Sequence, residues 1–278
     1  LKPNFQYKVL GWYCIIFYAL MVYKWTNGLF MYQLHPVFFY TRQDLTTWLI
    51  MQTGIHQWLL HNSAGNILFD SFFYSMPMLV LLAKKYQPAK SWILALAMLF
   101  INWIYIQCYT LYPSNSIEAH IAWLLFPVVF ITNSEEQFEL LYRGIRYFFL
   151  YFFMSAGVWK LAQGGVFNPL QMSGILLYQH HDMLINSPQY WQTNFYNFLL
   201  QYQYWGYALY IAATALELFF IVGFFTSKYD KLLTALFIIF LISDYLIMRI
   251  SYVEVLPLLL PLLYKPAAAS QLTPVENP

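Results

Sequence analysis

A chain of 278 residues that is 60% hydrophobic, 22% aromatic and only 9% charged falls outside the ordinary soluble class, in which about a quarter of residues are charged. It has too little charge to cover a surface in water, so its solvent is lipid. The net charge of +2 is scattered rather than gathered into a basic stripe, and nucleic acid is excluded as a partner.

In windows of about 20 residues, the length a helix needs to cross a bilayer, the apolar runs in chain order are 9–25, 65–82, 91–112, 119–132, 147–161, 204–225, 232–248 and 251–264. The predicted fold is therefore all-α, a polytopic membrane bundle of about eight spans. With the N-terminus cytoplasmic, the inner segments hold Lys2, Lys8, Lys84, Lys85, Lys90, Arg143, Arg146, Lys228, Lys231 and Lys265. The outer side holds Arg42 and Arg249, with Lys24 and Lys160 at outer helix ends. Ten against four is a positive-inside asymmetry, and it sets both termini in the cytoplasm. The first run has no small-residue cleavage site, so it is expected to remain as a span. Residues 1–266 form the membrane domain, and the polar, proline-bearing 267–278 are expected to be disordered.

Two loops, 26–64 and 162–203, are extracytoplasmic on this topology and hold His35, His56, His61, His180 and His181. They are dense in aromatic and neutral polar residues, a mixture suited to the headgroup zone, and are expected to form short helices against the outer interface. Cys14 and Cys108 fall at opposite faces and are expected to stay free thiols. The chain shows no repeat, phosphate loop or nucleotide motif, and no cysteine pattern for a metal site.

Ionisable groups inside spans cost about 2.5–3.5 kcal/mol each on insertion scales, so each asks for a reason. Five stand out: Asp70, His120, Lys160, Glu217 and Asp244. Asp70, with Asn62, Ser63 and Asn66 just upstream, reads as a group that caps or hydrogen-bonds its helix entrance. Glu217 and Asp244 read as buried partners for a cation or a tyrosine hydroxyl. Lys24 and Arg249 lie close enough to span ends to snorkel and are given no role. Lys160 follows Ser155, Ala156 and Gly157, small residues that let another helix approach closely. Held beside a neighbouring helix and desolvated, its amine becomes a usable base.

The stretch FLYFFMSAGVWKLAQGGVFNP resembles the signature helix of the horizontally transferred transmembrane (HTTM) domain, the membrane portion of vitamin K-dependent gamma-carboxylases. SIEAHIAWLLFPVVFITNS is similar to the family helix that opens on a histidine, here His120. The likeness runs on through ALYIAATALELFFIVGFFTSKYDKLLTALFIIF to ISYVEVLPLLL, colinear over 116–263. It implies Lys160 and His120 as the candidate catalytic pair at the outer face, with a quinone or bound lipid as the cofactor class. The sequence departs from the family at Trp159, where a second lysine precedes the base, and in 238–244, which lacks the family's histidine. The carboxylase's large lumenal domain has no counterpart, so protein carboxylation is not expected.

Two function classes follow. In one, the chain is a non-catalytic subunit or scaffold of an envelope complex in a bacterial inner membrane, with an outward-facing pocket for a lipid or quinone and with membrane lipids and envelope proteins as partners. In the other it is a membrane enzyme, a quinone-linked oxidoreductase or carboxylase-like protein, with Lys160 as base. Transport is disfavoured, because no pair of Gly/Pro-broken helices recurs in matching positions. In either class Lys160 and His120 are expected to line one cavity between the fourth and fifth spans.

Overall fold

Helices account for the regular structure of the chain, and no strand occurs among the described residues of the computed structural model, 5–35, 45–109 and 120–265. In chain order the α-helices are α1 (Phe5–Thr26), α2 (Leu45–Gln52), α3 (Ile55–Leu60), α4 (Ser63–Tyr86), α5 (Ser91–Tyr109), α6 (Ile121–Leu125), α7 (Glu135–Ala162), α8 (Gln171–Asn186), α9 (Trp191–Gln201), α10 (Gln203–Phe219), α11 (Val222–Phe225), α12 (Asp230–Met248) and α13 (Leu260–Leu263). Five stretches are long and apolar enough to cross a membrane: Phe5–Gln33, Ser63–Tyr86, Pro88–Tyr109, Gln203–Phe225 and Asp230–Met248. An integral membrane protein needs such helices because lipid offers the backbone no hydrogen-bond partner. Arg42 and the tail 267–278 lie outside the described residues.

The chain divides into two compact units, 1–145 with 252–278 and 146–251. In the first, α1 packs on α4, α4 on α5, and the 3-10 segment Phe126–Phe130 on α5. The core is aromatic. Phe73 stacks on Tyr105 with centroids 3.8 Å apart, Tyr13 stacks on Phe126 at 5.0 Å, and Trp123 lies against Phe17 and Phe73. Such pairs contribute about 0.5–1.5 kcal/mol each beyond their buried area. Pro77 inside α4 disturbs the helical ladder, and the Tyr18 hydroxyl fills the gap: it donates to the Tyr74 carbonyl at 3.0 Å and accepts from the Met78 N–H at 3.2 Å.

The runs 119–132 and 251–264 are not ordinary spans. The first folds as α6 continued by Phe126–Phe130, the second as the 3-10 segment Val253–Leu259 continued by α13. Both nevertheless run the length of α1. His120 meets Lys24 near one end of α1, and the Thr132 carbonyl accepts from Gln6 at 2.8 Å near the other. Glu254 likewise meets Lys24, while Tyr264 stacks on Phe5 at 5.3 Å. From Gln6 to Lys24, α1 rises about 27 Å. The long Lys24 and Gln6 side chains supply part of that reach, and the 3-10 portions of the two segments rise about 2 Å per residue, further per residue than an α-helix. Pro127, Pro257 and Pro261 favour this over a regular α-helix. The segments are apolar because protein covers them: the Val253–Leu259 stretch packs on α6, and Leu258 is fully buried.

In the second unit, the C-terminal part of α7 packs its Phe149 and Phe153 against Phe220, Phe237 and Phe240. Between the membrane-length helices, α8 and α9 pack on each other and on α10 around Met172, Leu176, Tyr196 and Leu199. The described parts of both long loops are thus helical, as their aromatic content predicts.

Candidate functional site

Lys160 sits at the end of α7 beside α10, and glycine is the reason. A Cβ built on Gly157 would come within 2.9 Å of Leu218 Cγ and 3.1 Å of Glu217 Cβ. This close approach lets Lys160 Nζ reach Glu217 Oε1 at 2.7 Å, with the Lys160 side chain 27% exposed and that of Glu217 3%. Nζ also lies 5.5 Å from the centroid of the Tyr210 ring. The expected partnership of Lys160 with a neighbouring helix, and of Glu217 with a cation, is present.

Beside this ion pair lies a cavity of about 280 Å³. Its walls come from α8 (Met172, Ile175), α10 (Leu209, Tyr210, Ala212, Ala213, Leu216) and α12 (Ile239, Phe240, Ser243, Asp244, Ile247, Met248), with Lys160 from α7. Asp244 faces this space and makes no hydrogen bond or ion pair among the described residues. Three of the five singled-out residues, Lys160, Glu217 and Asp244, are therefore gathered in one place. The cavity is a predominantly apolar trough with one ammonium, one carboxylate, one hydroxyl and a phenol along it, the composition of a site for an amphipathic molecule. Ile239 and Ile242 are each 55% exposed on α12, so the outer surface beside the trough is apolar too.

His120 and Asp70 belong to the first unit. His120 precedes α6 at its N-cap position without a side-chain cap bond, is 1% exposed, and is not among the walls of the Lys160 cavity. Its Nε2 lies 3.3 Å from Lys24 Nζ and 3.8 Å from Glu254 Oε1. Lys24 does not snorkel: it is 1% exposed, 2.7 Å from Glu254 Oε1, 3.2 Å from the Tyr109 hydroxyl, and over the rings of Tyr109 and Trp123. Asp70 caps a different element from the one expected. It accepts from the N–H groups of Met31 and Tyr32, which open the 3-10 turn after α1, and from the Tyr105 hydroxyl at 2.6 Å.

Sequence reasoning missed Glu254, although a glutamate inside the apolar run 251–264 meets the same criterion that selected Glu217. It also read Arg146 as a topogenic charge alone. In the fold Arg146 makes a two-pronged pair with Asp230, at 2.6 and 3.1 Å, and donates to the Gly223 carbonyl at 2.8 Å. Cys14 and Cys108 are free and buried, and no cluster of metal ligands occurs among the described residues.

In the second unit, His180 stacks on the buried Tyr196 with centroids 4.4 Å apart and planes 5° from parallel. Burial, reinforced by the Arg249 charge, holds the His180 pKa below the usual imidazole value, against a hydrogen bond to the Ile247 carbonyl that pulls it up. Burial also raises the Tyr196 phenol.

No protein-family model matches the chain, and no curated protein or solved structure is similar to it.

Proposed function

We propose that the chain is an integral membrane protein of the HTTM type that binds a lipid- or quinone-sized amphipathic molecule in the Lys160 cavity. The observation that carries this is the trough itself: about 280 Å³, apolar along α10 and α12, with Lys160, Ser243 and Asp244 facing into it. That volume falls just below the usual ligand-pocket range of about 300–1,000 Å³ and suits a ring or glycerol-sized group whose tail continues along the exposed apolar faces. Lys160 Nζ donates to Glu217 Oε1 at 2.7 Å, so it stands in the site as a hydrogen-bond donor. An ammonium has no lone pair, so its role is to anchor a ligand oxygen rather than to take a proton.

In this reading the membrane is crossed eight times. α1, α4, α5, α7, α10 and α12 make six crossings, and 120–132 and 254–264 make two more. Non-α backbone is tolerated at membrane depth where protein covers it. Both termini are cytoplasmic, in a bacterial inner membrane, and α2, α3, α8 and α9 lie at the outer interface, as the lysine and arginine asymmetry requires. The broad apolar faces of α10 and α12 suit lipids and a neighbouring envelope protein, and the chain acts as a binding or scaffold subunit of a membrane complex.

Purification in mild detergent followed by lipid extraction and mass spectrometry tests this. A near-stoichiometric quinone or lipid, lost when Ala212→Phe fills the trough, is expected. A preparation carrying no such molecule, or one whose bound molecule is indifferent to Ala212→Phe, overturns the reading.

A second reading, a quinone-linked membrane enzyme, has one observation in its favour: Asp244 faces the cavity and makes no hydrogen bond or ion pair among the described residues. The base would then be Asp244 rather than Lys160, and loss of turnover in Asp244→Asn with ligand still bound would distinguish it.

A further inference from the structure

A second cavity, of about 420 Å³, is lined by Gln179, His180, Asp182, Met183, Met248 and Arg249. Met248 is a wall of both this space and the Lys160 trough, so the two adjoin across one side chain at the end of α12. We infer that the pair forms one binding site for an ethanolamine phospholipid, the headgroup in the Arg249 cavity and the glycerol and chains in the Lys160 trough. This rests on the ligand-binding reading above and names the ligand class.

Three observations point to the headgroup. Arg249 makes no ion pair with a carboxylate among the described residues; its Nη1 rests 3.6 Å from Met183 Sδ. It also closes α12 as its C-cap, the one non-glycine described residue at positive φ, 56°, a place where glycine or asparagine is usual. A guanidinium so placed suits a phosphate. Next, His180 is 6% exposed and its Nε2 has no hydrogen-bond partner. The Ile247 backbone acts on the ring as an acceptor, which favours the neutral tautomer that leaves the buried Nε2 with a lone pair, and that lone pair takes a donor. Finally, Asp182 supplies a carboxylate to the same space, held from the side by Asn186 at 2.7 Å. A cation that carries N–H bonds satisfies both Nε2 and Asp182. A primary ammonium does this, and a trimethylated one has no hydrogen to give.

The spacing along α12 fits the rest of the molecule. Arg249 lies five positions beyond Asp244, a rise of about 7.5 Å at 1.5 Å per residue, comparable with the distance from a lipid phosphate to its ester groups. At that depth Lys160 and Ser243 offer donors to ester oxygens, and Phe240 and Ile239, a turn deeper, offer apolar wall to the chains.

The test is a titration of the detergent-purified full chain by native mass spectrometry. The probes are dioleoyl phosphatidylethanolamine, dioleoyl phosphatidylcholine, diolein and soluble glycerophosphoethanolamine. The wild type is expected to bind the ethanolamine lipid about tenfold more tightly than the choline lipid, and the soluble headgroup far more weakly than either. His180→Leu is expected to abolish the preference while leaving the choline lipid unaffected. Arg249→Asn, chosen because asparagine tolerates positive φ, is expected to weaken both phospholipids about tenfold without affecting diolein, and Arg249→Lys to restore part of that loss. Equal binding of the two phospholipids, unaltered binding in Arg249→Asn, or a soluble headgroup that binds as well as the lipid overturns this inference. Those results leave the ligand-binding reading standing if Ala212→Phe still abolishes binding of all three lipids. If Ala212→Phe changes none of them, the ligand-binding reading falls as well.

Discussion

Gly157 and Glu217 face each other so closely that a methyl group on the glycine would lie 3.1 Å from the glutamate Cβ. Three residues further along α7, Lys160 reaches the same glutamate at 2.7 Å. The ion pair is thus a consequence of a packing choice one turn away. Replacing Gly157 with leucine overpacks this crossing, which typically costs about 1–3 kcal/mol, and separates Lys160 from Glu217. Thermal unfolding in detergent should show the loss, and Gly157→Ala should show a smaller one. Equal stability of Gly157→Leu and wild type would remove the close approach as the cause.

The Lys24–Glu254 pair in the first unit makes a different prediction. Both side chains are nearly inaccessible, 1% and 8% exposed. Removing one partner of a buried pair strands the other charge, at about 3–5 kcal/mol, whereas replacing both with apolar residues is often neutral. Lys24→Met alone should therefore be strongly destabilised, and Lys24→Met with Glu254→Leu should recover most of the loss. A double variant as unstable as the single one would show that the pair is not the unit of stability.

Much of this was legible in the sequence, for reasons that can be named. The helix-long apolar runs needed only composition, and the Ser155-Ala156-Gly157 stretch marked the crossing that holds Lys160. The runs 119–132 and 251–264 were visible as apolar but not as 3-10 segments, because hydropathy does not separate a surface facing lipid from one covered by α1 and α6. Lys24 was misplaced for a related reason. A lysine one turn from a helix end can snorkel, and only the arrival of Glu254 from a distance of 230 residues in the chain keeps it inside. The Lys160 trough draws on four helices and has no local signature.

Tyr18 offers a narrower test. Its hydroxyl bridges the Tyr74 carbonyl and the Met78 N–H beside Pro77. Tyr18→Phe strands both backbone groups, and a loss of about 1–3 kcal/mol is expected. Pro77→Ala removes the ring that holds this turn open, so the Met78 N–H can pair with the Tyr74 carbonyl directly, and in that background Tyr18→Phe should cost less. Identical costs in both backgrounds would contradict the bridging role.

Two buried histidines outside the membrane-length helices predict a pH dependence. Burial lowers the pKa of His180, and likewise that of His56. In the unfolded chain these groups bind protons near pH 6.5, while the folded protein resists protonating them. The unfolded state therefore holds more protons as pH falls, so stability is full above about pH 6.5 and declines below it, until the pH passes the folded values. Arg249, which caps the end of α12, adds its charge to the lowering at His180, and Asp182 of α8 lines the same cavity. Unfolding followed from pH 7.5 to 5.5 should show this slope, reduced in His180→Leu. A slope unchanged by that variant would assign the dependence elsewhere.

The central claim, that the Lys160 trough holds an amphipathic ligand, is tested most directly by an experimental structure of the protein extracted with its native lipids. Elongated non-protein density between α10 and α12, ending on Lys160 and Asp244, is the predicted result. A trough closed by its own side chains, or one that is resolved and empty, would contradict it.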